Sequence, residues 1–496
     1  MKKYSRRALL LALGGAIGYS ISSKFQSKLP SLTGTRKPLS SINSASTLND
    51  ASELSATNIH KHITVTNDYD TSLHARIRLA LQESKQHGIP FNVGAARHSM
   101  GGQAIPRDGI ACTFDNGAIE IDSANRQYRV HAGARWSQVI NSLDAKGWAP
   151  KITQANNDFG VAATFSVNAH GWQVPYGPMG SSVRAIRMIM PSGELLECSR
   201  TQNQSLYAHA MGGYGLIGVI TDLDVDMVPN SLLVATFAHL PAEQFSDAFK
   251  SAIEDPEVKM AYGRLHVGRE YFLNQALLRT YRKSDDQGNL PTSSGSGVIS
   301  RASRNIYRAQ TGNETMKSFR WWGETVAGPQ LMKKEVTQNS LVNESVKTHA
   351  NAKPGRTDII HEYFVGFDRF EDFLEICREV IPASFQELLN VTLRYVATDE
   401  ESMLAYATSP RIAAVMSFSQ EKTVRAEADM KRMTQELIER VIGIGGAYYL
   451  PYRPHATLDQ FARTYAGSEA FATTKRQIDP ALLLRNNLWD TYMAKL

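Results

Sequence analysis

The chain has 496 residues, 42% of them hydrophobic and 21% charged. That length exceeds the roughly 250–300 residues one core can serve, so two or three lobes are expected, and the composition excludes a disordered chain or a polytopic membrane protein over most of it. A net charge of +6, spread over 54 basic and 48 acidic residues without a long basic run, argues against nucleic acid as a partner.

The first residues differ from the rest. Met1-Lys2-Lys3-Tyr4-Ser5-Arg6-Arg7 is basic, and Ala8 to Ile21 is almost wholly small and apolar. This is the shape of a signal peptide, too short for an ordinary spanning helix. The paired arginines followed by Leu9-Leu10 resemble a twin-arginine export signal, which implies a periplasmic location or association with the outer side of the inner membrane through the N-terminus. No clear small-x-small cleavage site follows, so a removed signal and a retained anchor both fit. Residues 23–58, rich in Ser, Thr, Lys and Asn, read as a solvated flexible linker.

Regular patterning starts near His60. Ile63-Thr64-Val65 is a short strand, and Leu73, Ile77, Ala80 and Leu81 recur at helical spacing before Gly88-Ile89-Pro90. Phe91 to Val93, Ile110 to Phe114, Ile119 to Ile121 and Tyr128 to Ala132 read as strands, Trp136 to Lys146 as a helix. Val183 to Met190 and Leu195 to Cys198 form a hairpin around Pro191-Ser192-Gly193, and Leu216 to Met227 is a further strand. The pattern predicts an α+β domain over 59–230. A second α+β domain follows over 231–445, with helices at Phe367–Ile381, Ser402–Ala407 and Thr423–Ile442 and strands at Ile359–Val365, Leu389–Val396 and Ile412–Phe418. Within it, Ser284 to Ser303 is dense in Gly and Ser and reads as a mobile loop or insertion. Phe319-Arg320-Trp321-Trp322 is a basic aromatic cluster for which helix packing is expected. Residues 446–496 form a closing segment. Cys112, Cys198 and Cys377 have no CxxC spacing, so neither a disulfide framework nor a metal site is expected.

Three segments carry candidate chemistry. In Gly94-Ala95-Ala96-Arg97-His98-Ser99, followed by Gly102 and Gln103, small residues let backbone N–H groups approach a ligand, and Arg97 adds positive charge suited to a pyrophosphate. About 60 residues on, Gly160-Val161-Ala162-Ala163, with Ser166, Asn168 and His170, is again rich in small residues. The third, Gly213-x-Gly215-x-x-Gly218, fits the dinucleotide fingerprint literally, but a strand follows it where a helix is required, so a Rossmann site is rejected.

In this order and spacing the three segments resemble the vanillyl-alcohol oxidase superfamily of FAD proteins, with its PCMH-type FAD-binding domain. Arg97-His98-Ser99-x-x-Gly102-Gln103-Ala104 is similar to the flavin-attachment loop of cytokinin dehydrogenases and alditol oxidases. Val161-Ala162-Ala163-Thr164-Phe165-Ser166 resembles the family's V-G-G-T-x-S, with alanines for two glycines. Asn168-Ala169-His170-Gly171 is closer to decaprenylphosphoryl-ribose oxidases, and the stretch through Ile220 resembles the strand entry G-x-x-G-I-I-T. The resemblance implies a two-subdomain FAD domain, a substrate domain, a C-terminal segment returning to the first, and FAD bonded covalently through His98. No cysteine lies between Gln154 and Gly171, so no second bond is expected.

Glu362-Tyr363-Phe364, Leu393-Arg394-Tyr395 and Arg453-Pro454-His455 resemble the substrate domain of alditol and aldonolactone oxidases. By that match Arg394 and His455 face the flavin, the guanidinium stabilising negative charge and the imidazole taking a hydroxyl proton as hydride moves to flavin N5. The plainer alternatives are an ion pair for Arg394 and a satisfied turn histidine for His455. The family's acidic residue two before the arginine is Thr392 here, and its lysine after the histidine is missing. The reaction implied is oxidation of a CH–OH group in a sugar, polyol or lactone, with electrons passed to oxygen, a quinone or a redox protein. Reduction of a C=C bond, oxidation of an amine, and a non-catalytic flavin-fold binding protein are the rivals.

Overall fold

The computed structural model describes residues 37–39, 46–66, 71–295, 298–331, 335–345 and 355–496. The expected signal, and the linker up to residue 36 and over 40–45, lie outside them. Among the described residues no helix is long and apolar enough to cross a membrane.

Helix Thr71–His87 buries Leu73, Ile77, Ala80 and Leu81, the residues whose spacing predicts it, and stops where Gly88 takes φ +63°. It joins strands of a three-stranded parallel sheet, in which Lys61–Thr66 and Phe91–Gly94 flank Ile110–Asp115. A second, antiparallel sheet orders Leu195–Ser199, Val183–Ile189, Val219–Pro229, Gln127–His131 and Ile119–Asp122, with Trp148–Pro150 also on the long strand Val219–Pro229. That strand alternates: Leu223 and Val225 are buried, while Asp224 and Asp226 pair outward with Arg129, Arg187 and Arg184.

The third sheet has eight antiparallel strands in the order Glu335–Thr337, Leu232–Pro241, Gln275–Lys283, Val258–Leu265, Glu387–Val396, Arg411–Glu421, Arg356–Val365 and Ala447–Tyr448. Thr392 and Glu362 both pair with Val415, so Ile360, Glu362, Thr392, Arg394 and Val415 share one face. Helices Phe370–Val380 and Val424–Gly443 cover the other, where Tyr363 meets Phe373 and His361 meets Thr434.

Four expectations are corrected. Residues 46–58 are not a solvated tether: Thr47–Leu48 pairs with Thr57–Asn58, the Ala51 N–H donates to the Arg97 carbonyl, and the buried Ser52 carbonyl accepts from the Thr357 hydroxyl. Polar composition hid a segment in which Asn49, Asp50, Ser52 and Ser55 bond back to the chain. Ser402–Ala407 is not helical. Asp399 accepts from the N–H groups of Glu401 and Ser402, and the Tyr406 hydroxyl donates to the Asn168 carbonyl, so these tertiary bonds override local helix propensity. The Gly/Ser-rich stretch is irregular from 284 to 295 but resumes as helix Val298–Ala309, fixed by Tyr307 on Ser417; residues 296 and 297 lie outside the description. In the aromatic cluster, Arg320 is packed as expected, donating to the Leu389 carbonyl and to Asn390, but Trp322 is about half exposed.

The C-terminal segment crosses back. Phe91 bridges Leu484, the Asn486 side chain donates to the carbonyls of Gln103 and Tyr214, and helix Asn487–Thr491 begins there.

Candidate functional site

A cavity opens between the first two sheets and the Arg394 face of the third, enclosing about 1460 Å³ of space including its mouth. Gly94, Ala95, Ala96, Arg97, His98, Ser99 and Gln103 line it, as do Gly160, Ala162, Ala163, Ser166 and Ile220.

The first wall is a cradle of backbone. The chain leaves strand Phe91–Gly94 and turns at Arg97, whose φ is +50°. The N–H groups of Ala95 through Ser99 donate to no partner among the described residues, which leaves a run of donors for an anion. A Cβ on Gly160 would stand 2.9 Å from the Ala95 Cβ, so the two loops meet only because that position is glycine. Arg97 donates to the Thr113 hydroxyl at 2.7 Å and to the Ala104 carbonyl, and has no carboxylate partner among the described residues. Burial pushes its pKa down to about 10, so it stays cationic at neutral pH.

His98 stacks near Phe159, with ring centres 4.4 Å apart, and its Nε2 lies 3.8 Å from Asp158, beyond hydrogen-bond reach. Burial pushes the imidazole pKa down more than Asp158 raises it, so the ring is neutral at pH 7 and one nitrogen is free to act as a nucleophile.

The opposite wall is Ile360, Arg394, Val415, Tyr449, Pro451 and Tyr452. Among the described residues the buried Arg394 Nε has no hydrogen-bond partner, and its guanidinium lies within electrostatic reach of Glu362 behind the wall. Thr392, in the place of the family's acidic residue, accepts from Arg264 at 2.6 Å. The two walls are tied by Gln103, whose side chain donates to the carbonyls of Leu450 and Tyr452.

The structure places several expected residues elsewhere. His455 is off the cavity, on the helix-covered side of the large sheet. Its Nε2 meets Glu427 at 2.9 Å and its Nδ1 meets Thr434, so it is a satisfied buried histidine and does not face the cofactor space. Gly102 gives its N–H to Asp50 and takes φ +71° against Asn487. Val161 points into the core, and Asn168 bonds Asp399 and the Gly180 N–H. His170 lies behind the wall, its Nε2 at 2.5 Å from Glu362. Sequence reasoning missed Tyr449 and Tyr452, although both stand just before the Arg453-Pro454-His455 stretch it singled out. Phe159, Gln154 and Tyr214 were missed too.

Residues 73–199 match the family described as FAD binding domain, and with the cradle above this identifies a PCMH-type FAD-binding domain in the chain. FAD is the cofactor its residues fit: unpaired N–H groups and Arg97 for the pyrophosphate, a slot of small residues for the planar ring. Among curated relatives, cytokinin dehydrogenase 2 of Arabidopsis thaliana is 32% identical over 151 residues, 30% of each chain. A Neurospora crassa protein named for D-arabinono-1,4-lactone oxidase is 29% identical over 114 residues, 23% of this chain and 20% of its own. L-gulonolactone oxidase of Mus musculus is 26% identical over 166 residues, 32% of this chain and 38% of its own. The chain thus spans a fifth to under two fifths of the length of these relatives.

Proposed function

We propose that the chain is an FAD-dependent oxidoreductase that oxidises a CH–OH group of a sugar, polyol or lactone and passes the electrons to oxygen or another acceptor. The observation that carries this is the charge of the cavity. Its lining includes two cationic side chains, Arg97 and Arg394, and among the described lining residues no carboxylate. Such a wall favours an oxygen that gains negative charge and disfavours a protonated amine. When bound, FAD supplies the two-electron acceptor. Arg394 stabilises the substrate oxygen, Gln103 holds the two walls in register, and Tyr449 and Pro451 help exclude water. The relatives named for lactone oxidation support the same reading.

The same proposal makes His98 a covalent anchor, supported by its neutral ring and its place in the cradle. It also makes the chain an exported protein, supported by Ser5-Arg6-Arg7 before the apolar run. Denaturing electrophoresis viewed for flavin fluorescence is expected to give a bright band that His98→Ala abolishes. A dark band from yellow wild-type protein would overturn the anchor and favour a reductase. D-sorbitol, L-gulonolactone and D-glucose are each tried for anaerobic bleaching of the flavin, with simple amines as controls. Bleaching by amines alone would overturn the CH–OH reading.

A further inference from the structure

Behind the cavity wall lies a line of three side chains. Tyr452 lines the cavity, and its hydroxyl donates to Glu362 Oε2 at 3.0 Å. Glu362 is buried and does not reach the cavity, and its Oε1 is 2.5 Å from His170 Nε2. The line ends there, because the buried Nδ1 of His170 has no partner among the described residues. We infer that Tyr452 is a catalytic residue that takes the proton of the substrate hydroxyl while handing its own to Glu362, with His170 as the positioning residue that orients the carboxylate. The inference rests on the CH–OH reading above.

The placement argues for it. The Tyr452 carbonyl is held by Gln103 at 2.9 Å, and Gln103 lies on the candidate cofactor loop, so the Tyr452 backbone is fixed relative to that loop while Glu362 orients the phenol. Burial and the neighbouring Glu362 charge hold the phenol well above its ordinary 10, so it carries its proton at rest and cannot act as a base alone. It can accept a proton only while giving one up. Glu362 is the acceptor: burial pushes its carboxyl up, but His170, Arg394 and Tyr452 together hold it below its ordinary value, ionised at neutral pH.

The balance is simple. The substrate O–H bond breaks and an O–H bond forms on Tyr452 Oη, while the tyrosine's former proton goes to Glu362 Oε2. FAD, when bound, would take the carbon-bound hydrogen with both electrons, which would leave the substrate carbon as a carbonyl. Arg394 faces the same oxygen and offsets its charge as the proton departs.

The test is anaerobic stopped-flow bleaching of the flavin in the purified holoprotein by D-sorbitol, L-gulonolactone and D-glucose, in H₂O and D₂O. Tyr452→Phe, which removes one hydroxyl, is expected to keep the FAD content and spectrum of the wild type, to bleach about a hundredfold slower and to lose the solvent isotope effect. Glu362→Gln is expected to lose the fall in rate on the acid side of the pH profile. A Tyr452→Phe protein that keeps the wild-type rate, or slows but keeps the isotope effect, overturns the relay alone. A wild type that none of the three bleaches overturns the CH–OH reading and the relay with it. Tyr452→Phe decides the matter even where Glu362→Gln does not fold.

Discussion

Arg394 and His455 sit 61 positions apart in a chain whose local sequence offers both as candidates, yet only one reaches the cavity. What separates them is the layer each one joins. Arg394 shares a face with Ile360 and Val415, whereas His455 joins the layer of His361 and Thr434 on the opposite side. Residue type at a motif position was legible, but the layer was not, because it depends on contacts between segments that the local pattern does not announce, as His455 shows on Thr434 and Glu427. The same limit hid Tyr452, whose role comes from Glu362, 90 residues away. His455→Ala is therefore expected to leave flavin reduction and its pH profile as in the wild type. It should lower the unfolding free energy by about 1–3 kcal/mol, since Glu427 and Thr434 lose a buried partner. Denaturant titration beside the bleaching assay would show both halves of that outcome, and lost bleaching with intact stability would contradict it.

At the level of elements, strong periodicity was read well. The helix at Thr71–His87, the hairpin Val183–Ile189 with Leu195–Ser199, and the strands around Glu362, Arg394 and Ile412 all have buried faces that the sequence displays. Elements held by side-chain-to-backbone bonds were not legible, because nothing in their apolar pattern announces them. The pair Thr47–Leu48 and Thr57–Asn58 is one, and the C-terminal turn at Asn486 is another. Asn486 is fully buried. Its amide donates to the carbonyls of Gln103 and Tyr214, and its Oδ1 accepts from the N–H groups of Leu488 and Trp489. Asn486→Ala removes a helix cap and strands two carbonyls, a cost of about 2–4 kcal/mol. Thermal unfolding followed by flavin fluorescence should show the mutant's transition at lower temperature. An unchanged transition would mean the C-terminal turn does not hold the cofactor loop.

Across the whole molecule, the layer between the large sheet and helix Val424–Gly443 makes stability depend on acid. Burial pushes His361 from its ordinary 6.5 down to about 3 and also lowers His455. Burial raises the Glu427 carboxyl, but His455 and Arg453 hold it far below its ordinary 4.5. All three folded-state values lie below the unfolded ones. The unfolded chain therefore binds more protons on acidification, and the stabilisation is complete above about pH 6.5 and lost as pH falls, faster below 4.5. Urea unfolding at pH 7.5, 6 and 5 should show falling midpoints, and a flat series would refute this. The two α+β lobes were legible because hydrophobic patterning is local, whereas the returning tail followed only from the family resemblance. The cavity was half legible: its cradle is one continuous stretch of small residues, while its far wall is assembled from three strands and a tail. That tail also makes the cradle depend on residues nearly four hundred positions away. A chain cut before Asn486 has nothing to grip the carbonyls of Gln103 and Tyr214, so its cofactor loop would stand unbraced, and such a truncated product is expected to emerge colourless.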